Sequence, residues 1–199
     1  MTPNTSPSDH LHEIDLDGAL DFINTLDLDD GQLVEHFLAP ADAAAWFVDH
    51  HLLHAGDGRA WGESELDRIK GARAGLRAVV DAIAEGQVPP ASAVEAVNEV
   101  LDSRPVGRLE IDRDAVRVGH RHRGSTTAEA LVPIAEAIVA EIATGRPDRF
   151  RICDNETCRW TFYDASPTGR RRWCDMKTCG NRAKAARHRA RIKAAGQPA

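Results

Sequence analysis

The chain has 199 residues, 42% of them apolar and 28% charged, with a formal net charge of −6. That apolar share excludes a wholly disordered chain, and no apolar run approaches the roughly 18 residues of a membrane span. The length allows one ordinary domain plus a small module. Residues 1–12 lack a basic patch followed by an apolar core, so they are expected to form a flexible leader on a cytoplasmic protein.

Leu16, Leu20, Ile23 and Leu26 fall at helical spacing, and Asp27–Gly31 then reads as a loop. A short helix is expected over Ala41–Leu53, with Ala44, Phe47, Val48 and Leu52 on one side. A longer one runs from Glu63 to Glu85, where Leu66, Ile69, Leu76, Val80 and Ile83 repeat at three- and four-residue steps. Gly86 is its stop, and Pro89-Pro90 open another helix carrying Val94, Val97 and Leu101. Residues 108–122 alternate apolar and charged positions around Asp112-Arg113-Asp114, the pattern of a β-hairpin. The next helix begins with Thr126 and Glu129 as a capping box, buries Leu131, Ile134, Ile138 and Ile142, and ends at Gly145-Arg146-Pro147. Pro133 lies inside that pattern and predicts a kink or a shifted start.

The net charge hides an asymmetry. Residues 149–199 hold 13 of the 25 Lys/Arg and 4 of the 31 Asp/Glu, a local balance of +9 against −15 for the rest. An acidic body joined to a basic, polyanion-seeking tail is the direct reading.

All four cysteines lie in that tail, as Cys153-x4-Cys158-x15-Cys174-x4-Cys179. Two close pairs separated by a connector suit a tetrahedral Zn²⁺ site, and four protein ligands make such a site structural rather than catalytic. Two disulfides, an iron–sulfur cluster and a redox-active pair are the alternatives. The absence of a secretion signal and the x4 spacing count against them. Ile152, Trp160, Phe162, Tyr163 and Trp173 are a thin core for about 50 residues, so the tail needs a staple. Two strands around the Cys153/Cys158 knuckle, a turn at Pro167-Thr168-Gly169 and a helix after Cys179 give a treble-clef-like order. Removing the zinc is expected to unfold the tail.

From Gly180 the chain reads GNRAKAARHRARIKAAG, without one acid between Lys177 and Lys193. Solubility normally uses charges of both signs, so the pattern points to a helix that grips phosphates and enters the major groove of double-stranded DNA. Arg182, Lys184, Arg187, Arg189 and Arg191 are the expected contacts, with Arg170, Arg171 and Arg172 beside the same zinc.

The run Trp173–Lys184 (WCDMKTCGNRAK) resembles the CGNR zinc-finger family, named for the residues at 179–182, and the match extends over about 149–193. In that family the finger follows an ABATE domain, assigned to stress-induced bacterial transcription regulators, and ALDFINTL at 19–26 resembles its opening motif. The resemblance implies a zinc-dependent, DNA-binding transcription regulator. Within the motif Gly180 is expected to allow close backbone approach, Asn181 to bond the knuckle backbone, and Arg182 to reach a sulfur or a phosphate.

Other residues invite weaker readings. His50 and His54 have metal-pair spacing but no HExxH arrangement, so helix-end positions are expected. His120 and His122 fit an exposed edge strand, Asp15, Asp17 and Asp21 a helix N-terminus, and Trp46, Phe47 and Trp61 a core. No nucleophile elbow or phosphate loop appears, and no enzyme is expected.

The fold class is therefore mainly α with a small β-hairpin (α+β) over residues 13–146, followed by a treble-clef-like zinc finger over 149–195. One structural Zn²⁺, duplex DNA, a small-molecule effector of the N-terminal domain and a homodimer are the expected partners, with the protein cytoplasmic and nucleoid-associated. Two other classes stay open: an RNA-binding or ribosome-associated module stacking bases on Trp160, Phe162, Tyr163 and Trp173, and an enzyme body targeted by the finger.

Overall fold

The structure, a computed structural model, describes residues 14–54, 56–112, 115–121 and 124–195. The expected leader at 1–12, the hairpin turn at 113–114 and His122 lie outside the described residues.

Helix α1 (Leu16–Ile23) starts at Asp15, whose carboxylate accepts the Gly18 N–H at 2.8 Å, and Asp17 adds negative charge at the positive helix end. It buries Ala19, Leu20, Phe22 and Ile23. The helix stops three residues before the expected Leu26, because Asn24 caps it and the Thr25 hydroxyl donates to the Phe22 carbonyl at 2.8 Å. Strands β1 (Leu26–Asp29) and β2 (Gln32–Glu35) then form an antiparallel hairpin where a loop was expected. Asp30 and Gly31 take φ of 49° and 81°, the left-handed pair that a two-residue hairpin turn requires.

Helix α2 (Pro40–Asp49) opens on its proline and ends four residues short of the expected Leu53. His50 caps its C-terminus and stacks on Trp46 with ring centroids 3.8 Å apart. Helix α3 (Glu63–Ala84) follows its expected course, and Gly86 closes it at φ 68°. Gly75 lets helix α4 (Ala91–Asp102) approach closely, since a Cβ there would stand 2.9 Å from the Ala96 methyl. Strands β3 (Val106–Asp112) and β4 (Ala115–Arg121) form the expected hairpin. Helix α5 (Thr126–Thr144) is capped one residue earlier than expected: Ser125 Oγ accepts the Ala128 N–H at 3.2 Å, and Glu129 reaches back to the Gly124 N–H. Pro133 is accommodated within α5 and buried.

The body is thus mainly helical with small antiparallel hairpins, built around one core. Phe22, Phe37 and Phe47 meet Leu76 and Val80 of α3 and Leu131, Ile134 and Ile138 of α5 there. Trp46 and Trp61 pack against that cluster, Trp46 5.3 Å from Phe22 and Trp61 5.3 Å from Phe47. The buried Arg73 holds Glu35 of β2 through two nitrogens, Nη1 at 2.7 Å and Nη2 at 2.5 Å, and Nη1 also donates to Thr25 Oγ1 at 3.0 Å. Burial alone would raise the Glu35 pKa, but the Arg73 and Phe37 hydrogen bonds outweigh it and hold the carboxyl below its ordinary value.

Strands β5 (Phe150–Ile152) and β6 (Thr161–Tyr163) form a third antiparallel hairpin, and helix α6 (Asn181–Ala195) ends the described chain. Phe150 is fully buried inside the body's core, and Tyr163 packs against it. The tail is joined to the body by its hairpin and does not hang on a linker alone.

Candidate metal centre and basic helix

Three short segments converge on the cysteines. Cys153 leaves β5 with its N–H donating to the Trp160 carbonyl at 2.8 Å, which closes the hairpin around a knuckle. Inside the knuckle the Asn155 carbonyl accepts from Cys158 and Arg159, and Arg159 takes φ 56° to turn the chain back into β6. On the other side, Asp175 caps a single π-turn (Met176–Gly180) by accepting the Lys177 and Thr178 N–H groups, and that turn presents Cys179.

The four Sγ atoms lie within 4.8 Å of one another, and no disulfide joins any of them. Sγ of Cys158 is 3.7 Å from that of Cys174, which is 3.8 Å from that of Cys179. A Zn–S distance of about 2.3 Å in a tetrahedron gives edges of about 3.8 Å, so the cluster fits a single structural zinc ion. Cys153 and Cys179 are buried, and Cys158 and Cys174 half-buried. Hydrogen bonds from Cys174 and nearby groups lower the Cys153 pKa to about 5, while burial and the Cys153 charge push Cys158 up to about 11. Cys174 is pushed up as well, first by its hydrogen bond to Cys153. One thiolate forms easily at Cys153 while Cys158 and Cys174 resist, so a set of four needs a cation among them. Asn155 Nδ2 supports the cluster from outside, 3.4 Å from Cys179 Sγ.

The motif residues after Cys179 have definite places. Gly180 is buried, and a Cβ there would stand 2.9 Å from Met176 Sδ and 3.3 Å from Trp173. Asn181 Nδ2 donates to the Lys177 carbonyl at 2.9 Å, which ties α6 to the turn that carries Cys179 rather than to the first knuckle. Arg182 meets the body at Asp30, 3.3 Å away, and not a sulfur.

Helix α6 is exposed from Asn181 to Ile192, with Ala183 only half-buried. At about 100° per residue, Lys184, Arg187 and Arg191 line one side, with Ala190 among them. Arg182 and Arg189 turn the other way, over a groove shared with Trp173 and residues 154–157. Among the described residues, Arg170, Lys184, Arg189 and Arg191 have no ion-pair partner, and Arg187 only touches the Ala183 carbonyl at 3.4 Å. Two of the expected basic residues serve the finger itself. Arg171 lies 5.0 Å from the Phe162 ring and donates to the Cys174 carbonyl at 2.6 Å. Arg172 pairs with Asp154 and lies 5.1 Å over Trp173.

A polar seam that the sequence reading did not anticipate holds the finger to the body. The buried Asn24 side chain donates to the Thr161 carbonyl at 2.8 Å and accepts the Thr161 N–H at 3.0 Å. Thr161 Oγ1 donates to Asp81 of α3 at 2.6 Å. Arg77 bridges Asn24, Asp81 and the Arg159 carbonyl, and Trp160 Nε1 donates to Asp27 at 2.9 Å. Polar Asn24-Thr25 directly after an apolar helix face was the available signal. A cleft of about 540 Å³ opens beside this seam, bounded by Asp27, Val34, His36, Trp160, Cys174 and Arg182.

Two family models match the chain in order. The first, ABATE, described as "Putative stress-induced transcription regulator", covers residues 16–145, and the second, the CGNR zinc finger, covers residues 149–192. No curated protein matches the chain. No helix among the described residues is long and apolar enough to cross a membrane.

Proposed function

The chain belongs to the ABATE family of transcription regulators and carries the CGNR zinc finger, and on that premise we propose that it binds duplex DNA through α6 in a zinc-dependent way. The Lys184, Arg187 and Arg191 side of α6 is the observation that carries the proposal. These cations face solvent with no carboxylate partner among the described residues, on a helix whose first turn continues from the metal-ligating turn. Zinc would fix the direction of α6 without touching the nucleic acid. Phosphates would take the outer cations, and Arg is the residue able to read guanine. Arg189 and Arg170 extend the positive surface, whereas Arg171, Arg172 and Arg182 act first as struts.

The packing of Trp160, Phe162 and Tyr163 against the body or the zinc knuckle supports duplex binding over base stacking on single strands. We further infer that the regulator works in the cytoplasm on the nucleoid. The N-terminal domain would sense a small-molecule effector, with the seam cleft of about 540 Å³ as the place we propose for it. The family assignment is to a regulator and not to an enzyme.

Deleting residues 149–199 is a poor test, because it also strips Phe150 and Tyr163 from the body. The better test selects DNA from a random duplex pool with the zinc-loaded chain, then repeats binding with K184A/R187A/R191A. The triple variant should stay folded and zinc-loaded, and its salt dependence should fall by about 3 in logarithmic slope if each residue neutralises one phosphate. Unchanged affinity would remove α6 from the interface.

A further inference from the structure

The β3–β4 hairpin is the part of the body that the core does not absorb. Among the described residues no other element packs extensively on it. Leu109 is 73%, Ile111 83% and Val116 68% exposed, and the register puts all three on one face through the pairs Leu109↔Val118 and Ile111↔Val116. A two-stranded ribbon is marginal in water, and one with an apolar face needs further strands or a cover.

Among the described residues, no strand neighbours either outer edge of the ribbon. The two strands are joined through residues 113–114, with Asp112 opposite Ala115. A two-residue connection makes that closing pair hydrogen-bonded, so positions 112, 110, 108 and 106 face inward and Gly107, Leu109 and Ile111 present N–H and C=O outward. A second copy of β3 added antiparallel along this edge pairs these outward residues with one another when it centres on any residue from 107 to 111. Centring on Arg108 or on Glu110 sets that charge opposite its own copy, which repels. Centring on Ile111 sets Glu110 opposite Asp112 twice, which repels. Centring on Gly107 sets Arg108 opposite Val106 and brings Pro105 into the pairing. Centring on Leu109 sets Arg108 opposite Glu110 of the second copy at both ends, Leu109 opposite Leu109, and Gly107 opposite Ile111. That register alone is complementary to itself. It makes six main-chain hydrogen bonds and extends the apolar face across four strands.

We propose that the outer edge of β3 is a homodimer interface, formed by two-fold antiparallel pairing of β3 with a second copy centred on Leu109. The β4 edge lacks such complementarity, since its outward positions 116, 118 and 120 place no opposite charges across a two-fold centre. An interface of this size sits at the small, transient end, so the dimer depends on concentration and strengthens when both fingers occupy one DNA duplex. This inference goes beyond the DNA-binding reading and is tested without DNA.

Sedimentation velocity on the zinc-loaded full chain, from micromolar to several hundred micromolar, should show the mass rising from 21.7 kDa toward twice that value. R108E and E110R, made singly, each set like charges opposite at both ends and should weaken association about tenfold. The double variant R108E/E110R restores the opposite-charge pairs in reverse and should recover the wild-type constant. A monomer at every concentration would overturn the proposal. So would single variants that associate like the wild type, or a double variant that fails to recover while retaining its zinc and melting temperature.

Discussion

The polar residues at the seam set how firmly the finger is held. Asn24 satisfies both backbone groups of Thr161 from a buried position, so truncation leaves an N–H and a carbonyl unpaired. N24A should cost about 2–4 kcal/mol, read as a lower urea midpoint, while zinc stoichiometry stays at one because no ligand is touched. Glu35 gives a separate, pH-dependent signature. Its pKa is lowered from the ordinary 4.5 in the folded chain, so its contribution is complete above that value and disappears as pH falls through the folded pKa. E35Q leaves the buried Arg73 without its anion and should cost about 2 kcal/mol near neutrality, discounted for the partial exposure of Glu35. The gap between wild type and variant should stay constant while the pH is well above the ordinary 4.5 and close as the pH falls below it through the lowered folded-state value. A gap that widened on acidification would contradict the Arg73–Glu35 account.

Element by element, what the sequence revealed depended on whether the signal was local. Helix α3 and α4 carry their own periodicity and stops, and both appear with nearly the expected bounds. The four cysteines were readable because ligand spacing is a property of the chain, and the structure gathers all of them. The β1–β2 hairpin was hidden because Asp27, Asp29 and Asp30 make the segment look like a loop, yet Asp30-Gly31 is a favoured two-residue turn. Its strands are held by distant partners, through Asp27 to Trp160, Asp30 to Arg182, and Gly31 N–H to the Thr157 carbonyl. No local pattern encodes those contacts. The contacts of Arg171 and Arg172 inside the finger were hidden for the same reason, since charge alone does not reveal that Phe162 and Trp173 lie beneath them.

For the whole molecule, the point at issue is whether zinc holds a tail or an entire chain together. The sequence suggested two modules and the unfolding of the tail on metal removal. The structure couples them more tightly: zinc closes the knuckle between β5 and β6, and that hairpin inserts Phe150 into the core beside α3 and α5. Once the cysteines lose their cation, the hairpin loses its closing constraint, and Asn24 and Asp81 lose ordered partners. Withdrawal of Phe150 alone should cost the body about 3–5 kcal/mol. Chelation at neutral pH should therefore lower the thermal midpoint of the helical signal at 222 nm as well as that of the tail. Zinc-loaded protein should melt in one transition followed alike by helicity and by tryptophan fluorescence, whose reporters Trp46 and Trp61 sit in the body and Trp160 and Trp173 in the finger. A body whose midpoint ignored the chelator would mean that the seam forms without the metal. Phe150 would then hold the two parts together by packing alone.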